Sequence, residues 1–251
     1  MDVEDTKTAK LSGVDWLQFF SGGVPSLDYF LMQVDDLREL VDKSTVETGI
    51  NVTAELCMIG LAAYFEAFCL NEFAAVINIV PEILDRFADK RDCRITAKSL
   101  LHVLLELDHS LGFLISEEFE FGSAKAVNGL FQNLLNITPF SKKEATKYAE
   151  FLNDRNLLVH HGGIYTAKYK GQKFVKKHAR AEIYAGVYFD SLVIRKVDVH
   201  KWADFLTRVA KKMGDATGAA LLKFVASERL SCDPERKKAI EGLGNLRLAG
   251  T

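Results

Sequence analysis

Sequence motifs typical of several common enzyme classes are missing from this 251-residue chain. It has no glycine-rich phosphate loop, no Walker pattern, no H-E-x-x-H and no G-x-S-x-G, which argues against an NTPase, a zinc metalloprotease or a serine hydrolase. The four cysteines are scattered and form no C-x-x-C pair. We therefore predict no disulfide, no metal site and no cofactor, and the cysteine usage favours a reducing, cytoplasmic compartment.

Targeting and membrane signals are also scarce. The chain starts with an acidic, polar stretch at residues 1–5, which is unlike a signal peptide. Its apolar runs are interrupted before about 18 residues accumulate, so we expect no membrane span. The net charge is −2, with 48% hydrophobic and 26% charged residues, as in ordinary globular proteins. Any contact with nucleic acid must therefore depend on a local basic patch.

Hydrophobic periodicity predicts a mainly α fold, a helical bundle with a small β-hairpin before the last long helix. Asn51 or Thr53 is expected to cap the central helix, and Ser26 or Asp28 the first one. The expected helices cover 26–43, 52–80, 96–115, 142–160 and 199–225, with a short one around 127–135. The expected domain organisation is a lead-in at 1–25, a single domain at 26–230 with a hairpin at about 181–197 turning at Asp190-Ser191, and a flexible tail at 231–251.

The segment most informative about function is the last third of the predicted helix over 142–160. Arg155-Asn156-Leu157-Leu158-Val159-His160 has an arginine, a polar residue and a histidine near the helix end. This resembles the R-x(4–6)-H signature of the HEPN superfamily, in which a polar residue favourably follows the arginine. The resemblance covers roughly residues 26–165, including the aromatic-rich stretch Phe65-Glu66-Ala67-Phe68, and extends in outline to the final helix.

The resemblance implies an α-helical bundle and metal-independent RNA cleavage, in toxin–antitoxin or phage-defence biology, by a homodimer that brings two motifs together. It implies catalytic roles for Arg155, Asn156 and His160. His161 also fits the spacing and is an auxiliary candidate, and Glu66 is a candidate for orienting Arg155. Histidine can transfer protons near neutral pH, and arginine presents a planar fork to phosphate oxygens.

Helix geometry limits how these residues can act together. Asn156 and His160 are four residues apart and share a helix face, whereas Arg155 lies about 140° around the helix from His160. Either Arg155 reaches around the helix, or the helix ends early, or a second protomer completes the site.

A basic and aromatic segment follows the motif directly. Residues 168–180 contain six Lys or Arg residues and no acidic residue, and aromatic rings are interleaved with them. Positive charge with stacking surface is what unpaired RNA requires. The predicted RNA-binding residues are Tyr165, Lys168, Tyr169, Lys170, Lys173, Lys176, Lys177 and Arg180.

Three hypotheses remain open from the sequence. The first is an endoribonuclease acting on RNA, with tRNA among the candidate substrates, together with an antitoxin or regulatory partner. The second is a non-catalytic HEPN module that binds RNA, nucleotide or a protein partner. The third is an unrelated helical interaction protein, in which Arg155 pairs with Asp154 or Glu150 and His160 caps its helix.

Overall fold

The computed structural model describes residues 16–46, 49–93, 95, 107–170, 179–184 and 187–244, with the backbone alone at 107–110, 170, 179–184 and 187–189. This part of the chain is mainly α-helical, which confirms the predicted fold class. Its helices are α1 (Ser26–Asp42), α2 (Val52–Ile79), α3 (Ile83–Ala88), α4 (Leu107–Ser116), α5 (Ala124–Leu135), α6 (Lys142–His161), α7 (Ala167–Lys170), α8 (Lys196–Ser227) and α9 (Pro234–Gly242). Strands β1 (Ala179–Tyr184) and β2 (Val187–Ser191) lie between α7 and α8.

Helix α2 is the centre of the bundle because it is apolar on nearly every side. Asn51 caps it, as predicted, by accepting a hydrogen bond from the Ala54 amide at 3.1 Å. Phe65 packs against aromatic rings from three other parts of the chain, namely Phe30, Phe140 and Tyr148. Helices α1, α4, α6 and α8 all contact α2. The core therefore surrounds this one helix.

The same helix is the one described segment long and apolar enough to cross a membrane by length and composition alone. A buried core helix passes the same test, and most of the C-terminal half of α2 is buried inside the protein. The expectation that the chain has no membrane span stays a prediction.

Several predicted element boundaries differ from the structure. Helix α1 starts directly after Pro25 without a side-chain cap, so neither Ser26 nor Asp28 plays that role. The third predicted helix is described from Leu107 to Ser116, and its part before residue 107 lies outside the described residues. Helix α8 runs from Lys196 to Ser227 without a break, and is longer than the predicted 199–225.

The predicted turn of the β-hairpin is wrong. Asp190 and Ser191 pair with Arg180 and Ala179 at the open end of the antiparallel ladder, whereas the strands are joined between Tyr184 and Val187. The sequence at 190–191 resembles a turn, but its backbone is used for pairing: the Asp190 carbonyl accepts a hydrogen bond from the Tyr165 amide at 3.2 Å. The hairpin thus spans 179–191 rather than 181–197.

The tail at 231–251 was predicted to be flexible, which is wrong for residues 231–244, while residues 245–251 lie outside the described part of the chain. Asp233 caps α9 through the Arg236 amide, and Pro234 takes the first helical position, where its missing N–H costs nothing. Ala239, Ile240 and Leu243 are buried. Gly214 makes this packing possible, because a Cβ atom there would lie 2.3 Å from the Leu243 carbonyl oxygen.

The predicted lead-in also contributes to the core in its described part. Residues Trp16–Phe19 and Ser21–Gly23 form short 3-10 turns. Phe19 and Phe20 are buried, and the Phe19 carbonyl accepts a hydrogen bond from the Asn78 amide group at 3.2 Å.

Candidate functional site

The motif occupies the last two turns of α6, a helix with strong signals at both ends. Ser141 and Glu144 form the predicted capping box at its start. Gly162 takes the left-handed conformation at its end, with φ 55°, and the Gly163 amide donates to the Leu157 carbonyl at 3.2 Å. Because both ends are capped, the helix keeps its regular geometry through the motif.

A surface cleft of about 250 Å³ lies along the C-terminal part of α6. The helix contributes one wall, and the segment that follows Gly163 contributes the other. The lining residues are Asn153, Asn156, Leu157, His160 and His161 from the helix, and Thr166, Lys168 and Tyr169 from the opposite wall. The cleft thus brings together five residues that the sequence placed in the site, namely Asn156, His160, His161, Lys168 and Tyr169.

Arg155 does not line this cleft. Its guanidinium points towards α2, where Nη2 lies 3.9 Å from Oε2 of Glu66. The Arg155 side chain is 24% exposed and that of Glu66 is 42% exposed, so the pair lies at the protein surface. Glu66 is therefore placed to orient Arg155, whereas Asp154 and Glu150, the alternative partners considered from sequence, form no ion pair with it in the described structure.

The Arg155 side chain also has an unmet hydrogen-bonding group. Its Nε is buried and has no hydrogen-bond partner among the described residues. A single ion pair at 3.9 Å leaves much of the donor capacity of a guanidinium available to another group.

The two histidines are exposed and close together. The ring centroids of His160 and His161 are 6.5 Å apart, in an edge-on arrangement. Both extend from the last turn of α6 into the cleft, opposite the wall that carries Lys168. Two imidazoles and one ammonium group on facing walls suit an anionic ligand.

A contact missed by sequence reasoning anchors the opposite wall. The Tyr169 hydroxyl donates a hydrogen bond of 2.5 Å to Oδ1 of Asp154, the residue before the motif arginine. The Tyr169 ring stacks on Tyr165, with centroids 5.3 Å apart and planes 20° apart. Nothing in the spacing of Asp154 and Tyr169 indicates this contact, since they are 15 residues apart across a helix end. By contrast, helical spacing from Asn156 and His160 could have found Asn153 and Leu157.

Burial makes Asp154 an unusual carboxyl. Desolvation, with smaller contributions from Glu150 and Asp198, raises the pKa of Asp154 to about 6, although the hydrogen bond from Tyr169 opposes the rise. Burial and the neighbouring carboxylate likewise raise the pKa of Tyr169, which remains a hydrogen-bond donor at neutral pH.

The predicted RNA-binding residues fall into two groups. Lys168 and Tyr169 line the cleft, and Tyr165 is buried beneath Tyr169. Lys173, Lys176 and Lys177, as well as the side chains of Lys170 and Arg180, lie outside the described part of the structure. Within the described part, no group of three or more metal-binding side chains occurs.

The hairpin is attached to the cleft wall by backbone contacts. Ile164 forms an isolated bridge with Ser191, and the Leu192 amide donates to the Gly163 carbonyl at 2.8 Å. Since Tyr165 also pairs with Asp190, the wall is fixed to the end of β2.

No family model, curated protein or solved structure matches this chain. The fold and the cleft define a mainly helical protein with a polar, histidine-lined cleft at the end of one bundle helix.

Proposed function

We propose that this protein is a metal-independent endoribonuclease of the HEPN type, acting as a homodimer. The observation that carries the proposal is the cleft in which Asn156, His160, His161, Lys168 and Tyr169 converge. The resemblance of the motif to the HEPN signature supplies the reaction class. A toxin–antitoxin or phage-defence role, with an antitoxin or regulatory partner, belongs to the same proposal.

The chemistry follows from the residue types in the cleft. A neutral imidazole, which we assign to His160, takes the proton of a ribose 2′-hydroxyl, and the 2′-oxygen attacks the adjacent phosphorus. The bond from phosphorus to the 5′-oxygen breaks, and a protonated imidazole gives that oxygen its proton. The products are a 2′,3′-cyclic phosphate and a 5′-hydroxyl. Lys168 and a guanidinium offset the negative charge that develops on the phosphorane.

A second protomer supplies that guanidinium in this proposal. Arg155 lies outside the cleft formed by its own chain, and its face of α6 also exposes Val159, one turn further on and 46% exposed. An exposed apolar side chain one turn from Arg155, on a face that carries an incomplete site, favours contact with another copy of this chain.

The direct test is cleavage of tRNA and unstructured RNA by purified protein in the presence of EDTA. We expect cleavage ending in 2′,3′-cyclic phosphates, and a loss of at least about 100-fold in His160→Ala and in Arg155→Ala. Matched controls are His200→Ala and Arg208→Ala on α8, which leave cleavage unchanged. Intact RNA with the wild-type protein would refute the nuclease proposal.

Co-expression of the two inactive variants tests the shared site. If Arg155 of one protomer works with His160 of the other, a mixed dimer keeps one correct combination. Random pairing then restores up to about a quarter of the wild-type activity. No restoration, or a monomer at working concentration, would contradict the shared site.

A second candidate function is a non-catalytic HEPN module that binds RNA, nucleotide or a protein partner. The position of Arg155 outside its own cleft favours it, because one chain alone lacks the complete catalytic set. It predicts RNA affinity that depends on Lys168 and Tyr169, with no cleavage in any variant.

A further inference from the structure

The outer wall of the cleft, residues 164–170, is held at two places. At its start, backbone contacts tie it to the hairpin through the Ile164–Ser191 bridge and the hydrogen bond from the Tyr165 amide to Asp190. At its end, the described tie to the motif helix is the hydrogen bond from the Tyr169 hydroxyl to Asp154. Lys168 lies between these two anchors.

The surroundings of Asp154 make this second anchor sensitive to protonation. The charged groups that raise its pKa are both acidic: Glu150 lies one turn earlier on α6, and Asp198 lies in the first turn of α8. Asp198 is itself paired with Arg195 at 3.0 Å and with Lys201 at 4.0 Å. Tyr169 is the hydrogen-bond donor to the partly buried Asp154 carboxyl in the described structure.

We propose that Asp154 and Tyr169 form a positioning latch that holds the outer wall, and Lys168 with it, against the motif helix, and that ionisation of Asp154 tightens this latch. An ionised carboxylate accepts a stronger hydrogen bond from a hydroxyl than a neutral carboxyl does. The pKa of about 6 places the change between weakly acidic and neutral conditions. The latch rests on its own geometry, whereas its consequence for RNA rests on the proposed function.

Ionisation has opposite effects on the latch and on the stability of the whole fold. Because the pKa of Asp154 is raised on folding, its ionisation costs stability as pH rises through about 6. The hydrogen bond from Tyr169 offsets part of that cost, so removing the hydroxyl hurts more when Asp154 is ionised. The stability lost in Tyr169→Phe, compared between the two protonation states of Asp154, therefore measures the latch separately from the effect of pH on the whole fold.

The test compares unfolding of the wild type, Tyr169→Phe, Asp154→Asn and the double variant at pH 5 and pH 8. Tyr169→Phe keeps the ring on Tyr165 and removes the hydroxyl alone. We expect it to lower the folding equilibrium constant about 10-fold to 100-fold at pH 8 and about 2-fold to 10-fold at pH 5. In the Asp154→Asn background, the effect of Tyr169→Phe is the same at both pH values. Tyr29→Phe and Asp36→Asn, both on the exposed side of α1, are the matched controls.

The second measurement is binding of a fluorescent single-stranded RNA at both pH values. His160 and His161 are present in every variant, so any pH dependence of RNA binding that they cause is common to all of them. The part of that pH dependence that comes from Asp154 is therefore the difference between the wild type and Asp154→Asn. We expect Tyr169→Phe to raise Kd several-fold at pH 8 and, where cleavage occurs, to lower kcat/KM, because Lys168 is no longer held in place.

The outcomes separate the two proposals. An equal effect of Tyr169→Phe at pH 5 and pH 8, or no effect at either, overturns the latch. RNA that binds to none of the proteins overturns the proposed function, while the unfolding measurements still decide on the latch. If Tyr169→Phe binds RNA more weakly than the wild type at pH 8, and the unfolding measurements give the expected differences, both the latch and the proposed function are supported.

Discussion

Replacing Glu72 by methionine should stabilise this protein, because among the described residues its buried carboxyl has the Ser26 hydroxyl nearby but makes no well-formed hydrogen bond. Its exposed fraction is 0%, and neither carboxylate oxygen has a hydrogen-bond donor among the described residues. Burial raises the pKa of Glu72 well above its usual range, and the nearby Ser26 hydroxyl only partly opposes this rise. We therefore expect the neutral form of this side chain to persist to higher pH than that of an exposed glutamate.

The size of the effect follows from the unmet polar atoms. A buried polar group without a partner costs about 1–3 kcal/mol, and methionine fills a similar volume without such groups. We expect Glu72→Met to gain about 1–3 kcal/mol at pH 7. For a chain of this size, about 2–4 °C of Tm accompanies each kcal/mol. The expected increase in Tm is thus about 2–12 °C, which calorimetry can measure.

The difference in stability between Glu72→Met and the wild type should depend on pH. A carboxyl whose pKa is raised on folding favours the fold most below its unfolded pKa, and this contribution is lost as pH rises through the folded pKa. The wild type therefore loses stability towards alkaline pH, whereas Glu72→Met lacks this component. The gap between the two proteins should widen from pH 5 to pH 9.

Urea and thermal unfolding across this pH range provide the assay. Glu117→Met, which replaces an exposed glutamate, is the matched control and should change stability by less than about 0.5 kcal/mol. If Glu72→Met is destabilised by more than about 1 kcal/mol at every pH, the carboxyl has a native partner and the reasoning is refuted.

Three further substitutions and one control test packing, helix capping and a buried hydroxyl by urea unfolding. Gly112→Ala should cost more than about 3 kcal/mol or prevent folding, because its Cβ would lie 2.0 Å from the Ala74 carbonyl oxygen. Gly129→Ala, whose Cβ meets nothing nearer than 3.9 Å, is its control and should gain about 0.5–1 kcal/mol. Asn51→Ala should cost about 1–2 kcal/mol through loss of the α2 cap, and a smaller loss would mean that the cap is dispensable. Tyr148→Phe should be neutral or gain up to about 1 kcal/mol, since the buried hydroxyl has no partner among the described residues; a clear loss would reveal one.

The helices were predictable because local signals and burial agree along them. The capping box at Ser141 and the cap at Asn51 mark true helix starts, and a surface that is apolar on nearly every side places α2 in the core. Errors arose where a local signal served another purpose. Asp190-Ser191 resembles a turn but continues the strand ladder, and Pro234 begins a helix rather than ending structure. Tertiary contacts decide such segments, and one sequence does not reveal them.

The candidate site was predictable along the helix but not across it. Spacing on α6 correctly put Asn156 and His160 on one face, as their shared place in the cleft shows. The contact of Tyr169 with Asp154 depends on how the chain turns back after Gly163. A glycine pair predicts that a helix stops, but it does not predict where the next segment lands.

The position of Arg155 narrows the ways in which the proposed nuclease could work. Helix geometry left three explanations for an arginine about 140° away from its histidine. An early helix end is excluded, since α6 continues to His161 and is closed by Gly162. Reaching around the helix does not agree with the observed position of the guanidinium, which lies beside Glu66 on α2 and outside the cleft. Within the nuclease proposal, a partner copy is the remaining source of a guanidinium for the cleft, so we propose that the cleft of one chain binds RNA and that only the dimer cleaves it.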